Sequence, residues 1–476
     1  METINSWKDI EWRTVQQSVF RLQLRIYKAA ANQEYGKMYK LQKLLISSQY
    51  AKYLAVRKVT QDNTGKRTPG VDKRILTTPN DKFALASELT LNGKSSPIRI
   101  TYVPKPDGRL RPLGIPTIED CAKQELAYLV LCPQWEAHFE ATSYGFRPGR
   151  STTDAIENVW VGIAKTPKWV LDADISKCLD RINHQYLLDK CNTFPEMRKQ
   201  IRAWLKVGIL DGKEYAFPKM GGVIVPLLSN IALHGLREEL DTYINSLGGH
   251  RSNNRQSLTY VRYADDFVLM HPDRYTTENL KKVTQKFLES IGLTLHPTKT
   301  RLVHTLEWTN ESSPGFTFLG YDVVQKLKRK RQPAVSRKKE SNQTFFTLIT
   351  PSKEGIKKQK RKLRDTIRRY RGAKQSRLIQ ELNTIIRGWA QSKRTVISSK
   401  IFQDLDQYLF LHLWKWAKKR HPKMSRYRLK DIYWHKVGGN HWGFGVKKDN
   451  EISMLLQTHS RLSIQLYAKG KDLMET

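Results

Sequence analysis

The chain has 476 residues, too many for one ordinary core, and its 39% apolar content with 12 Trp excludes wholesale disorder. Its 83 Lys+Arg against 45 Asp+Glu give a formal net charge of +38, which points to a polyphosphate partner, RNA or DNA, rather than to a membrane surface. Cys121, Cys132, Cys178 and Cys191 form no C-x-x-C pair, and neither an 18-residue apolar run nor an apolar leader is present, so we expect no disulfide framework, zinc ribbon or membrane contact, and a reducing, cytoplasmic setting.

Residues 1–75 read as a basic helical extension. Val15, Val19, Leu22 and Ile26 share one helical face, with Arg13, Arg21, Arg25 and Lys28 around the rest. The stretch Thr60 to Gly70 is turn-rich and predicts a loop. From 76 to 325, helical and strand patterns alternate, which predicts an α+β body. W-V-L-D-A-D-I, residues 169–175, is an apolar strand with Asp172 and Asp174 on one face. T-Y-V-R-Y-A-D-D-F-V-L-M-H, residues 259–271, predicts a hairpin whose turn presents Asp265 and Asp266. A helix over 276–291 follows, with Thr276 or Thr277 as its N-cap and Leu280, Val283, Phe287 and Ile291 inward.

Residues 326–345 form a basic linker, with eight Lys/Arg and no acidic residue over 326–339. Residues 346–425 predict a basic helical module. Leu378, Leu382, Ile385 and Trp389 make one stripe, and Ile401, Leu405, Tyr408, His412 and Trp416 make another. Eleven Lys/Arg face only Glu354 and Asp365 between 353 and 374, so Arg361, Arg364 and Arg368 are candidate RNA contacts. Residues 426–476 admit two readings, a small DNA-binding remnant or a cap on the helices before them.

Adjacent carboxylates repel and serve no packing purpose in a hairpin. Asp265 and Asp266, joined by Asp174 from a second strand, offer the hard oxygen donors that Mg²⁺ takes alongside substrate phosphates. Three carboxylates on two strands suit two metal ions about 3.5–4 Å apart for in-line phosphoryl transfer.

The runs Y-V-P-K-P-D-G-R-L-R-P-L-G-I-P-T (102–117), S-Y-G-F-R-P-G-R-S (143–151), D-A-D-I-S-K-C-L-D-R-I-N-H (172–184), G-G-V-I-V-P-L-L-S-N-I (221–231), Y-A-D-D and F-L-G-Y (318–321) occur in the order of a reverse transcriptase. L-N-T-I-I-R-G-W (382–389) and L-W-K-W-A-K-K-R-H-P (413–422) follow. Over roughly residues 60 to 435 the chain resembles a group II intron-encoded reverse transcriptase/maturase. The resemblance implies a right-hand polymerase of fingers and palm (76–325) and thumb/maturase (346–425), with Asp174, Asp265 and Asp266 holding two Mg²⁺ ions. It implies that Lys105 and Arg111 embrace the incoming dNTP, that Lys299 lies near the active site, and that Phe318, Leu319, Gly320 and Tyr321 form the primer grip. Asp172 reads as a supporting residue, and Arg147 as either a template contact or a structural residue. The implied partners are the group II intron RNA, target DNA and a primer-template.

Three positions depart from the family's pattern: Met220 stands where a nucleotide-contacting Gln is usual, Leu179 where an aromatic sugar gate is usual, and Cys121 where an Arg follows the Asp. A thioether cannot donate as an amide does. The expected function is an RNA-directed DNA polymerase that also assists splicing and intron mobility; the alternative is a splicing-only maturase with an idle polymerase. No Cys-rich H-N-H endonuclease is expected.

Overall fold

The computed structural model describes residues 6–104, 108, 110–175, 181–207, 222–309, 312–328, 344–438, 442–449 and 451–465. The chain is mixed helix and strand, and it forms two compact units: Met1–Ala155 with Leu171–Arg301, and Ile156–Val170 with Leu302–Thr476. These units interleave along the sequence.

In the first unit, helices Trp12–Ala31, Tyr35–Ser47 and Gln49–Arg57 pack with helix Ile118–Glu136. Val15, Val19 and Ile26 are buried as the periodicity predicts, against Leu126, Ala127, Val130 and Leu131. Thr117 caps the long helix by accepting from the Asp120 N–H at 3.2 Å. Cys121 lies in its first turn, and its thiol is pushed up to about 12, by burial first and then by Asp120 and Asp72.

Strands β1 (Arg99–Pro104) and β2 (Leu110–Ile115) form an antiparallel ribbon. Strands β3 (Trp169–Asp174), β4 (Thr259–Tyr263), β5 (Asp266–His271) and β6 (Arg301–His304) form a sheet in the order β4-β5-β3-β6. The helix after β5 runs Arg274–Ser290, two residues earlier than expected, because Asp273 and not a threonine is its cap. The Asp273 carboxylate accepts from both the backbone N–H (2.7 Å) and the hydroxyl (2.6 Å) of Thr276. An ionised acceptor outcompetes the threonine hydroxyl for the free N–H groups of the first turn.

In the second unit, β7 (Phe316–Phe318), β8 (Tyr321–Leu327) and β9 (Phe345–Pro351) form an antiparallel sheet, followed by helices Lys353–Arg369, Gln375–Lys393, Ser399–Arg420 and Arg426–Tyr433. On Ser399–Arg420 the buried stripe is Phe402, Leu405, Leu409, Leu413 and Trp416; of the expected stripe, Ile401, Tyr408 and His412 flank it half-buried. Strands β10 (Trp434–Lys436), β11 (Trp442–Lys448) and β12 (Glu451–Leu455) complete a small sheet. Phe444 and Leu456 share one core with Leu363, Leu382 and Trp416, so residues 426–465 are built into the helical module.

The segment after β12 is clipped to that module by Asp406. Its carboxylate accepts from the backbone N–H groups of His459 (2.7 Å) and Ser460 (2.9 Å) and pairs with His459 Nδ1 at 2.7 Å. Burial would raise this carboxyl, but those donors outweigh it and hold it below its ordinary range. Asp406→Ala is therefore expected to destabilise the second unit by about 2–3 kcal/mol, since buried donors lose a charged acceptor. The clip contributes above the ordinary carboxylate pKa and is lost as pH falls through the lower folded value. Urea denaturation of both proteins across pH 3 to 7 measures it: the gap should narrow at the acid end.

Candidate active site

Two short apolar runs, Tyr260-Val261 and Phe267-Val268-Leu269, flank a break at Ala264-Asp265, and β4 and β5 form a hairpin with a two-residue turn in which Tyr263 pairs with Asp266. Asp265 lies in the turn, Asp266 opens β5, and both are exposed. Ala264 holds a left-handed φ of 59°, a conformation costing a non-glycine residue roughly 1–2 kcal/mol. Strain at such a position marks a turn fixed by its surroundings.

Asp174 ends β3, the strand beside β5. Its backbone carbonyl accepts from the His296 N–H at 2.8 Å, and the Thr300 hydroxyl closes the H-P-T-K-T turn on the His296 carbonyl at 2.8 Å. That turn delivers Lys299 to Asp174, where its ammonium donates to the carboxylate. The pairing raises the Lys299 pKa, with Asp266 and Asp265 adding to it. Asp172, two residues back, is matched by Arg301 at 3.0 Å. Each β3 carboxylate thus has a cationic partner of its own, Lys299 for Asp174 and Arg301 for Asp172.

Asp266 feels the whole cluster. Desolvation is the first cause of its rise to about 6, and the charges of Asp265, Asp174 and Asp172 add to it while Lys299 opposes. A carboxyl so crowded is one that a cation relieves. Among the described residues no group of three His, Cys, Asp or Glu side chains stands arranged as a metal cage, so the expected cluster is not preassembled. The donors nevertheless suit Mg²⁺, which binds through one or two carboxylates and completes its shell with water and substrate phosphate.

Of the other expected site residues, Lys105, Leu179 and Met220 lie outside the described residues. Arg111 is on β2, opposite Val103. Phe318 to Tyr321 lie in the second unit, where Leu319 (φ 50°) and Gly320 (φ 76°) make the two-residue turn between β7 and β8. That turn is held by the Ser352 N–H on the Gly320 carbonyl (3.0 Å), by the Tyr321 hydroxyl on the Ser392 carbonyl (2.5 Å), and by Lys393 Nζ 3.3 Å from the Tyr321 ring centroid. Burial lowers the Lys393 ammonium to about 8. Arg361, Arg364 and Arg368 are exposed on helix Lys353–Arg369, away from buried Leu363 and Ile367.

Arg147 is a correction to the template-contact expectation. Its guanidinium is buried against Glu136 (2.9 Å) and donates to the carbonyls of Glu140 (2.7 Å) and Ser143 (2.6 Å), which makes it a structural residue of that loop.

Residues 7–89 match the family described as N-terminal domain of reverse transcriptase, residues 103–323 match Reverse transcriptase (RNA-dependent DNA polymerase), and residues 356–434 match Group II intron, maturase-specific domain. Protein YkfC of Escherichia coli is 30% identical over 335 residues, covering 61% of this chain and 85% of that protein. The chain belongs to the group II intron reverse transcriptase/maturase family. Other relatives are matched over less of their length. Group II intron-encoded protein LtrA of Lactococcus lactis is 28% identical over 48% of this chain and 47% of its own, and Maturase-like protein 1 of Euglena gracilis is 28% identical over 39% and 42%. No helix among the described residues is long and apolar enough to cross a membrane.

Around this family's paired aspartates the structure adds residues that pattern reading missed. Arg301 is one. A larger set surrounds Arg262, which is fully buried and pairs with Asn230 Oδ1 at 3.0 Å and with Glu140 Oε2 at 3.5 Å. Burial would raise Glu140, but His234, Arg262 and the Gly235 N–H bring it down to about 2. The available signal was an arginine inside an otherwise apolar strand, T-Y-V-R-Y.

Proposed function

We propose that this chain is an RNA-directed DNA polymerase that also holds its parent group II intron RNA and assists its splicing. The observation that carries the reading is that Asp174 ends β3 beside β5, which Asp266 opens just after Asp265 in the turn, so that the charges of Asp174 and Asp265 both bear on Asp266. The sheet β4-β5-β3-β6 serves as the palm, the β1-β2 ribbon as part of the fingers, with Lys105 and Arg111 meeting the dNTP phosphates as the family resemblance implies, and the β7-β8 turn as the primer grip. The helices from Lys353 serve as thumb and RNA-binding face.

Asp174, Asp265 and Asp266 would hold two Mg²⁺ ions, which supply Lewis acidity to a primer 3′-hydroxyl and to the pyrophosphate leaving group. The protein's own part is to orient these carboxylates and keep Lys299 beside them as a movable positive charge. Structured RNA is read through shape, phosphate and sugar contacts, which suits the broad basic helix face. Mobility would follow by copying the intron from a target-DNA primer, in a reducing, cytoplasmic setting.

The splicing-only alternative draws on Met220, Leu179 and Cys121, and on maturase-like relatives. A primer annealed to an RNA template, with dNTPs and Mg²⁺, separates the two. The wild-type protein should extend the primer, and Asp265→Ala/Asp266→Ala should lose extension while still stimulating intron splicing. A wild-type protein that stimulates splicing and extends nothing establishes the alternative.

A further inference from the structure

Arg262 lies three residues before Asp265 and has no exposed surface. A strand at the edge of a sheet normally presents its outer backbone groups to water. Here segment 142–145 covers that edge: the Arg262 N–H donates to the Thr142 carbonyl (2.9 Å) and the Tyr144 N–H to the Arg262 carbonyl (2.8 Å). The next residue, Gly145, sits so close that a Cβ there would lie 2.3 Å from the Ala264 nitrogen, so only glycine admits the left-handed turn at this distance. Asn230 joins the parts, donating through Nδ2 to the Gly145 carbonyl (2.8 Å) and accepting from Arg262 through Oδ1. The guanidinium also reaches the Ala264 carbonyl at 3.4 Å. Glu140 anchors the far end, accepting from the Gly235 N–H at 2.9 Å and facing His234 Nδ1 at 3.2 Å.

A buried Arg that only fills space would be replaceable by an apolar side chain. This one sets Nη1 between Asn230 and the turn that carries Asp265 and turns Nη2 toward Glu140, while its backbone pairs with 142 and 144, so two separate stretches of the chain, 140–144 and 230, meet on it. We infer that Arg262, clamped by Glu140 and Asn230, is a positioning residue that fixes the Ala264-Asp265 turn and thereby the spacing of the paired carboxylates. The inference rests on the metal-binding reading of Asp265 and Asp266 given above. Partners of this kind behind metal ligands typically alter metal affinity or activity by about 10- to 100-fold when removed.

The test uses the full chain and Mn²⁺ as the probe, with bound metal read by electron paramagnetic resonance and RNA binding as the control for folding. Arg262→Met/Glu140→Met removes both buried charges together, so neither is left unpaired. It should bind intron RNA like wild type and bind Mn²⁺ about 10- to 100-fold more weakly. Its primer extension should demand proportionally more Mg²⁺, with the KM for dNTP within about twofold of wild type. Arg262→Lys keeps the charge but loses the fork, and it gives the same readout if the double variant does not fold. Mn²⁺ affinity and Mg²⁺ dependence unchanged in a folded variant overturn the positioning role and leave the polymerase reading standing. Wild-type Mn²⁺ binding that is indifferent to Asp265→Ala/Asp266→Ala overturns the metal-site reading itself, and this inference with it.

Discussion

Asp266→Asn is expected to lower primer extension by about 10²–10³-fold, the size seen when one electrostatic partner of a transition state is removed, and to raise the melting temperature of the metal-free protein at neutral pH. The second effect follows from the crowding of the site. The Asp266 carboxyl titrates at about 6 in the folded chain, against an ordinary value of 3.8. A group whose folded pKa is raised binds its proton more tightly when folded, so its ionised form works against the fold. The penalty is absent well below pH 3.8, grows as pH rises toward 6 and is constant above it. Asparagine removes it, and because Asp266 is exposed and water screens much of the effect, the variant should melt only slightly above wild type at pH 7.5 and level with it near pH 3. Saturating Mg²⁺ should reverse the order, because the metal binds and stabilises only the wild-type carboxylates. Thermal melts with Mg²⁺ and with EDTA at both pH values check this. A variant that melts lower than wild type without metal would show that Asp266 is held by a favourable partner instead.

The parts of the fold legible in the sequence are those set by near-neighbour periodicity. The β4-β5 hairpin was readable because two short apolar runs are interrupted by two carboxylates, and the N-terminal helix because Val15, Val19 and Ile26 recur on one face. Helix Ser399–Arg420 carries apolar residues on several faces, so its buried stripe was decided by Leu363 and Trp434, neighbours that periodicity cannot see. The short strands β10 to β12 contain Gly443 and Gly445 and only a few apolar residues each, and their pairing depends on the helices they cover. At the candidate site, Asp174, Asp265 and Asp266 could be named because they sit inside ordered motifs that resemble a known family. Arg147 and Arg262 could not be assigned, since an arginine's role is set by whether its partner is a phosphate or, as here, Glu136 and Glu140. Those partners are fixed by the fold.

Replacing Arg361, Arg364 and Arg368 together by alanine should weaken intron-RNA binding on the order of 10²-fold at physiological salt and reduce the slope of log affinity against log salt by about 2–3, one unit or slightly less for each phosphate no longer neutralised. Helix Lys353–Arg369 buries Gln359, Leu363, Thr366 and Ile367 and turns these three arginines to water, so the substitutions leave the core untouched and alanine suits an exposed helix position. Of the three, Arg364 has an acidic neighbour, Asp365 at 3.4 Å, and an exposed pair of that kind contributes little. Nine Lys/Arg against Glu354 and Asp365 on one helix oppose folding through self-repulsion, which an RNA partner would reverse. The same variant should therefore be at least as stable as wild type when free and less stabilised by RNA. Filter binding across salt concentrations, paired with melts in the presence and absence of RNA, reads both sides of that exchange. An unchanged salt slope would move the RNA-binding surface off this face; a lower melting temperature of the free variant would show that the arginines support the helix rather than burden it.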